Sequence, residues 1–389
     1  MKEGWYNPRL VSRIKELDGL RGIAVLMIVV QHYVCDAVHL APVDRRAHLL
    51  VSLRLAWSGV DLFFVLSGFL IGGILLKMKP SENYYSTFYG RRLYRILPIY
   101  YIWLTLFLVG VYWSAGVQGS FVTALFRQNI PFWTYVVCLQ NFVMSSQNSI
   151  GPIWLGATWS LAVEEQFYLL LPCLVRQLNT KTLFRLSCLA IVCSPALRFF
   201  LMRHGSGSLP SYTLLPCRAD SLGFGVLIAI VFRSRAAWDW LQSHQKEMYV
   251  VFGMLAAGVF SLLFVRDPFS KPIFVALGFS LLSGFYAASI ALLVAHPGRL
   301  AKLFFHWKPL VWLGTISYAV YIIHAGVNYL WHGAVFGREP SLDTWPEVFV
   351  TVASLLTVIA LASISWQIWE SRLIRSAHHR FRYSQAAPR

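Results

Sequence analysis

The sequence predicts an all-α polytopic membrane protein with about ten transmembrane helices, and three observations carry that prediction. Apolar residues make up 57% of the 389 and charged ones only 13%, against roughly 45–50% and about 25% in a soluble domain. The apolar residues gather into repeated runs of about 20, the length a helix needs to cross a hydrocarbon core. Most of the 34 basic residues fall in alternate short stretches between those runs, which is the bias that orients membrane proteins. The net charge of +17 therefore reads as a topology signal. It does not read as a nucleic-acid surface.

The expected spans lie near 22–41, 56–76, 94–114, 157–175, 184–202, 212–232, 248–265, 272–295, 310–332 and 347–370. The first run follows a polar stretch, Met1 to Arg21, and no small-residue cleavage site comes after it. It is expected to act as an uncleaved signal anchor. The run from Pro131 to Met144 is too short and too polar for an eleventh crossing, and is expected as a re-entrant or interfacial segment. Counting it as a span would put the basic loops after it on the wrong side. With a cytoplasmic N-terminus, ten crossings return the C-terminus to the same side. The expected organisation is a ten-span membrane domain over residues 1–375 and a basic cytoplasmic tail over 376–389. The expected compartment is a bacterial cytoplasmic (inner) membrane.

Several function classes lack their usual signals. No G-x-x-x-x-G-K-[ST] loop, H-E-x-x-H helix or G-x-S-x-G elbow occurs, which removes the usual marks of ATP-driven pumping, zinc proteolysis and serine-elbow hydrolysis. The six cysteines, Cys35, Cys138, Cys173, Cys188, Cys193 and Cys217, form no C-x-x-C pair. They are expected as small packing residues, with no metal site.

Ionisable groups inside a bilayer are costly, so each one within a span is a functional candidate. In the first run, ELDGLRGIAVLMIVVQHY, Arg21 stands at the mouth and His32 eleven positions on. Eleven helical steps come within about 20° of three full turns, so the two share a face about 16 Å apart. Two readings stand: a path through lipid with a cation at its entrance, or a packed histidine bonded to a neighbouring carbonyl.

The second span places Asp61 near its outer end and Ser67 near its middle. A carboxylate at that depth needs a partner. Ser67 reads either as a catalytic group or as a hydroxyl bonded to its own backbone that bends the helix, amid Gly68, Gly72 and Gly73, which permit close packing. Arg91, Arg92 and Arg95 open the third span, as a headgroup anchor or as a clamp on phosphate oxygens. The fourth carries Ser160, Glu164 and Tyr168 at four-residue steps, with Glu165 about 100° away. An acid at a span centre costs roughly 2.5–3.5 kcal/mol on insertion scales, so the glutamates must face protein or water. An ion pair with an arginine and an active-site role are both open. Arg218 and Asp220 lie near the outer end of the sixth span, and Ser317, Tyr321 and His324 on one face of the ninth.

Taken in order, ELDGLRGIAVLMIVVQHY, GVDLFFVLSGFLIGGILL, YGRRLYRILPIYY, ATWSLAVEEQFYLLLP and GTISYAVYIIH resemble the acyltransferase 3 family of bacterial integral membrane O-acyltransferases. The resemblance runs from about residue 13 to 375. It implies a ten-span fold and transfer of an acyl group, most often acetyl from acetyl-CoA, to a hydroxyl of a cell-surface or exported glycan, or of a small secondary metabolite. The family's arginine and histidine fall on Arg21 and His32. Its serine–glutamate–tyrosine pattern falls on Ser160, Glu164 and Tyr168, and its S-G-F element on Ser67, Gly68 and Phe69. The chain departs from the family where a glutamate is often followed by proline two residues on. Here Glu370 is followed by Ser371 and Arg372, so no role is carried to that site. Some members append a soluble esterase-like domain; none is expected here.

The resemblance supplies the expected roles. Arg21, with Arg91, Arg92 and Arg95, would hold the phosphates of the acyl-CoA donor. His32 would serve as general base or as transient acyl carrier, since imidazole titrates around neutral pH. Glu164 would orient His32 or bind sugar hydroxyls, and Asp61, Ser67, Ser160, Tyr168 and His324 would line the acceptor. The expected partners are an acyl-CoA, a glycan or glycolipid acceptor and membrane lipid, with no permanently bound cofactor and no nucleic acid. A transporter or flippase of a glycolipid or acyl metabolite uses the same buried charges. It differs in leaving the CoA thioester intact.

Overall fold

The computed structural model describes residues 14–37, 53–116, 119–127 and 129–384. Residues 1–13 of the polar N-terminal stretch, residues 38–41 of the first span and residues 385–389 of the tail lie outside these. Among the described residues every regular element is a helix. The long ones are α1 (Lys15–Val30), α2 (Gly59–Met78), α3 (Tyr84–Trp113), α4 (Thr158–Gln177), α5 (Thr180–Arg203), α6 (Leu215–Val231), α7 (Gln245–Leu262), α8 (Phe279–Ala295), α9 (Lys308–Phe336) and α10 (Trp345–Ser365). A short α11 (Ser371–Arg380) follows. These ten long helices occupy the ten expected spans, and the fold is all-α and polytopic. Eight are long and apolar enough to cross a membrane. The other two, α4 and α7, fall short because Glu164 and Glu165 interrupt the one and Lys246 and Glu247 open the other.

Local chemistry sets the helix ends. Asn179 caps α5, its side chain accepting from the Thr182 amide at 2.8 Å. Thr344 and Glu347 form a reciprocal capping box at the start of α10, which satisfies two otherwise orphaned donors. The first helix starts earlier than the sequence predicts. It begins at Lys15, with Glu16 and Asp18 in its first turn, where acids complement the helix dipole. It ends in a wide turn, Gln31–Cys35, in which the Asp36 amide donates to the Gln31 carbonyl at 2.9 Å. His32, expected in mid-span, therefore sits in the last turn.

The segment expected as re-entrant or interfacial holds two short helices, Phe132–Val136 and Gln140–Gln147. Cys138 turns the chain between them at φ 56°. Tyr100 donates to the Tyr135 carbonyl at 2.7 Å and Gln140 to the Thr158 carbonyl at 2.9 Å, which ties the segment to α3 and α4.

The chain forms two compact units and passes between them within α1 after Ala24, within α4 after Ala162 and within α9 after Thr315. The first unit also holds α2 and α5 to α8. Its core is the contact of α2 with α6, where backbone meets backbone. A methyl added to Gly68 would stand 2.1 Å from the Leu222 carbonyl, and one on Gly225 2.2 Å from the Val65 carbonyl. Such small-residue contacts drive helix association in lipid. Gly225→Ala is expected to cost about 1–3 kcal/mol by forcing the pair apart, read as a lower denaturation midpoint in detergent. Gly253→Ala, which meets nothing within 4 Å on α7, should leave the midpoint unchanged. Equal midpoints for the two variants would refute the backbone contact.

The second unit holds the end of α1, α3, the start of α4, the rest of α9, and α10 and α11. Its centre is a stacked pair, Trp103 and Trp154, with rings 4.1 Å apart. Each indole N–H donates to the other residue's carbonyl, at 2.8 and 3.3 Å. Gly326 of α9 lies against both rings, which leave no room for a side chain there.

Candidate active site

In the second unit, the wide turn that ends α1 places His32 and Asp36 side by side. His32 Nδ1 and Asp36 Oδ2 are 2.8 Å apart. A carboxylate only accepts, so the ring proton sits on Nδ1 and Nε2 is left as a lone pair. Gln31 donates to the other carboxylate oxygen at 2.7 Å, so both oxygens of Asp36 are engaged. The His32 side chain is 43% exposed, where the sequence had placed it in the interior.

A second histidine stands beside it. The His324 ring on α9 lies 5.1 Å from that of His32, tilted by 39°. Its Nδ1 is 2.6 Å from the Tyr321 carbonyl, which fixes the proton there and leaves Nε2 as an acceptor. Tyr33, buried, donates to the His324 carbonyl at 2.9 Å and lies 3.1 Å from the Ser354 hydroxyl. One turn before His324, Tyr321 meets Ser160 of α4 with their hydroxyls 2.5 Å apart, and both reach the Ala157 carbonyl. The unit thus gathers His32, His324 and Ser160 from the expected site, and adds Asp36 and Tyr321.

The first unit gathers a different set. Glu164 Oε1 accepts from the Ser67 hydroxyl at 2.5 Å, and Oε2 from Tyr168 at 3.2 Å. Ser67, for which a bond to its own backbone was one of two readings, donates to the neighbouring helix's carboxylate, which is the stronger acceptor. Asp61, expected against the acceptor, is wholly enclosed and paired with Arg218. Arg198 and Asp220 form a second enclosed pair at 2.8 Å, and Ser280 donates to Asp220 at 2.6 Å. Arg21 lies 3.5 Å from Asp18, one turn before it, and remains a quarter exposed.

Of the three arginines of α3, Arg91 meets the chain's last described residues, again within the second unit. Arg91 Nε donates to the Phe381 carbonyl at 2.8 Å and its guanidinium lies 5.0 Å from the Tyr383 ring centre. Arg92 lies over Phe88 at 5.8 Å. Asn83 fastens the strap: its side chain donates to the Arg382 carbonyl at 2.6 Å and accepts from the Ser384 amide at 2.9 Å. Burial raises the Tyr383 phenol above its ordinary range, against the pull of Arg91 and Arg92. Arg91, Arg92 and Arg95 are each half-buried. With Arg380 and Arg382 they make this end of the unit strongly cationic, and guanidinium forks suit phosphate oxygens. Among the described residues no group of three His, Cys, Asp or Glu is placed to hold a metal ion.

The sequence missed Asp36, although a signal was present: it follows His32 by four residues in QHYVCD. Attention to that i, i+4 step would have found it.

Comparison with known proteins agrees with this architecture. A sequence model described as an acyltransferase domain, that of the acyltransferase 3 family, matches residues 14–366. YrhL of Bacillus subtilis is 30% identical over 339 residues, which cover 82% of this chain and 49% of YrhL. The peptidoglycan O-acetyltransferase OatA of Listeria monocytogenes is 25% identical over 378 residues, covering 92% of this chain and 55% of that protein. The O-acetyltransferase OatA of Staphylococcus aureus is 26% identical over 410 residues, covering 98% and 60%. The chain thus spans about half to three-fifths of the length of these relatives. No solved structure matches it.

Proposed function

The chain belongs to the acyltransferase 3 family, and from that premise we propose that it is a membrane O-acetyltransferase, moving acetyl from acetyl-CoA to a hydroxyl of a cell-wall glycan. The observation that carries the reading is the 2.8 Å contact of His32 Nδ1 with Asp36. A carboxylate that fixes the Nδ1–H tautomer leaves Nε2 as a base and stabilises the imidazolium that forms, as in the serine-hydrolase triad. The names of the relatives from Listeria and Staphylococcus favour acetyl as the group, and the former favours peptidoglycan as the acceptor.

In the proposed reaction His32 Nε2 takes the proton of the acceptor hydroxyl, and the oxygen attacks the thioester carbonyl. The C–S bond breaks as the ester forms. The departing sulfur takes up one proton to become the CoA thiol, and the imidazolium gives one up, so the sum balances. The base reading is preferred to a transient acyl-histidine because it needs no second half-reaction. Arg91, Arg92 and Arg95 bind the CoA phosphates. The Ser160–Tyr321 pair binds acceptor hydroxyls, and Glu164 of the first unit is held by Ser67 and Tyr168. The reading places the protein in the cytoplasmic membrane of a bacterium with both termini inside, in keeping with its basic loops.

Purified full-length protein supplied with acetyl-CoA and muropeptides should release CoA thiol and add about 42 Da per site to the glycan, the mass of acetyl for hydrogen. A protein that moves the glycan or the acyl-CoA without thiol release is a transporter, and the proposal fails. Arg92→Ala should raise the acetyl-CoA KM roughly tenfold at unchanged kcat, about 1.4 kcal/mol of uniform donor binding. An unchanged KM removes Arg92 from the donor site.

A further inference from the structure

α9 carries a second feature that the reaction above leaves unused. His324, Asn328 and His332 follow at four-residue steps and form one stripe. They are buried, at 0%, 1% and 0% exposure. Each has a polar atom without a protein partner: Nε2 of His324, Oδ1 of Asn328 and Nδ1 of His332. Three such atoms in register on one helix are unusual, because buried polar atoms are costly when unmet and interiors place water on them.

The spacing fits water. Successive residues stand one turn apart, about 6 Å along the axis. Two hydrogen bonds of about 2.8 Å cover that gap, so one water bridges each step. The donor count fits as well. His324 Nδ1 donates to the Tyr321 carbonyl, so Nε2 accepts. A first water gives one hydrogen to Nε2 and the other to Asn328 Oδ1. A second gives a hydrogen to Oδ1, whose other lone pair is free for it, and meets His332 Nδ1. Two waters on one carbonyl oxygen neighbour each other, so the proton passes from the first to the second when the first turns its hydrogen from Oδ1 to that neighbour.

Both ends of the stripe lead somewhere. Beyond His332, Nε2 lies 2.8 Å from the Thr351 hydroxyl. Thr351 stands one turn along α10 from Glu347, which is enclosed and bound by Arg338. The Arg338 side chain is itself 56% exposed and marks the mouth. At the opposite end the His324 ring lies 5.1 Å from that of His32.

We propose that His324, Asn328 and His332 hold a file of water that carries protons between His32 and the Arg338 end of α9 and α10. This rests on reading His32 as the base. The proton it takes from the acceptor hydroxyl leaves along the file to bulk water, while the CoA thiolate takes its own proton from the solvent on the donor side. One proton enters for each that leaves, and no further reactant is needed.

X-ray hydroxyl-radical labelling of the full chain in detergent, read by mass spectrometry, marks side chains that touch bound water. His332 should be oxidised at least tenfold above Tyr84, which is equally enclosed, and Asn328→Leu should remove most of that labelling. His332 labelled no more than Tyr84 overturns the water file. Asn328→Leu should also slow transfer about tenfold at saturating acetyl-CoA and increase the slowing in D₂O. Asn328→Ser, which keeps a polar group and leaves room for a further water, should recover most of the rate. Equal rates and equal D₂O effects for wild type and Asn328→Leu overturn the proton route even where His332 is labelled. Labelling needs no turnover, so an active His32→Ala variant, which defeats the base reading, and an unlabelled His332, which defeats the file, are read independently.

Discussion

Replacing His32 with alanine should lower the proposed acetyl transfer by about 10²–10⁴-fold, the range that a positioned general base supplies. The acetyl-CoA KM stays near wild type, because the donor is held elsewhere in the proposed arrangement. The loss should fall on kcat and kcat/KM together, the mark of an interaction made only in the transition state. Asp36→Asn separates base from bystander. The asparagine amide would face Nδ1 with N–H and favour the tautomer that protonates Nε2, so the lone pair turns away from the acceptor. A loss of about 10²-fold or more is expected from that change alone. Both side chains are substantially exposed, so neither substitution opens a cavity and the denaturation midpoint should not move. Thiol release at wild-type rate by His32→Ala removes this residue from the chemistry.

The sequence disclosed the helices and their order because hydrophobic length alone decides what crosses lipid. Each of the ten expected spans overlaps a long helix. What it did not disclose is where each helix starts and which polar groups meet. The first helix begins at Lys15 and its last turn widens, which puts His32 beside Asp36. Hydropathy rises only after Arg21 and so marks the apolar stretch, not the acid-capped turn before it. Spacing along one helix was informative: Glu164 and Tyr168, read as sharing a stripe, are bonded. Contacts between helices were not. Glu164 finds Ser67 and Ser160 finds Tyr321 through partners 97 and 161 positions away, and no local pattern encodes such pairs. Asp61 was read as needing a partner, and Arg218 was noted separately. Only the packing of α2 on α6 shows that each answers the other.

That pair sets the second large expectation. Asp61→Leu should destabilise the protein by about 3–5 kcal/mol, the cost of leaving a buried charge uncompensated. Arg218 has no alternative route to water, since both side chains are wholly enclosed. Its guanidinium lies 4.5 Å from the Phe279 ring centre and 5.5 Å from those of Phe64 and Tyr212. Cation–π attraction from three rings recovers part of the loss, on the order of 1–2 kcal/mol, but it does not replace a carboxylate. Removing both charges has the opposite sign. Asp61→Leu combined with Arg218→Met keeps similar volume and leaves no orphan ion, so most of the lost stability should return, as in buried ion pairs replaced by apolar groups. The decisive quantity is the coupling between the two positions, read from denaturation midpoints of both single variants and the double. A double variant no more stable than Asp61→Leu alone would mean that Asp61 serves something other than Arg218.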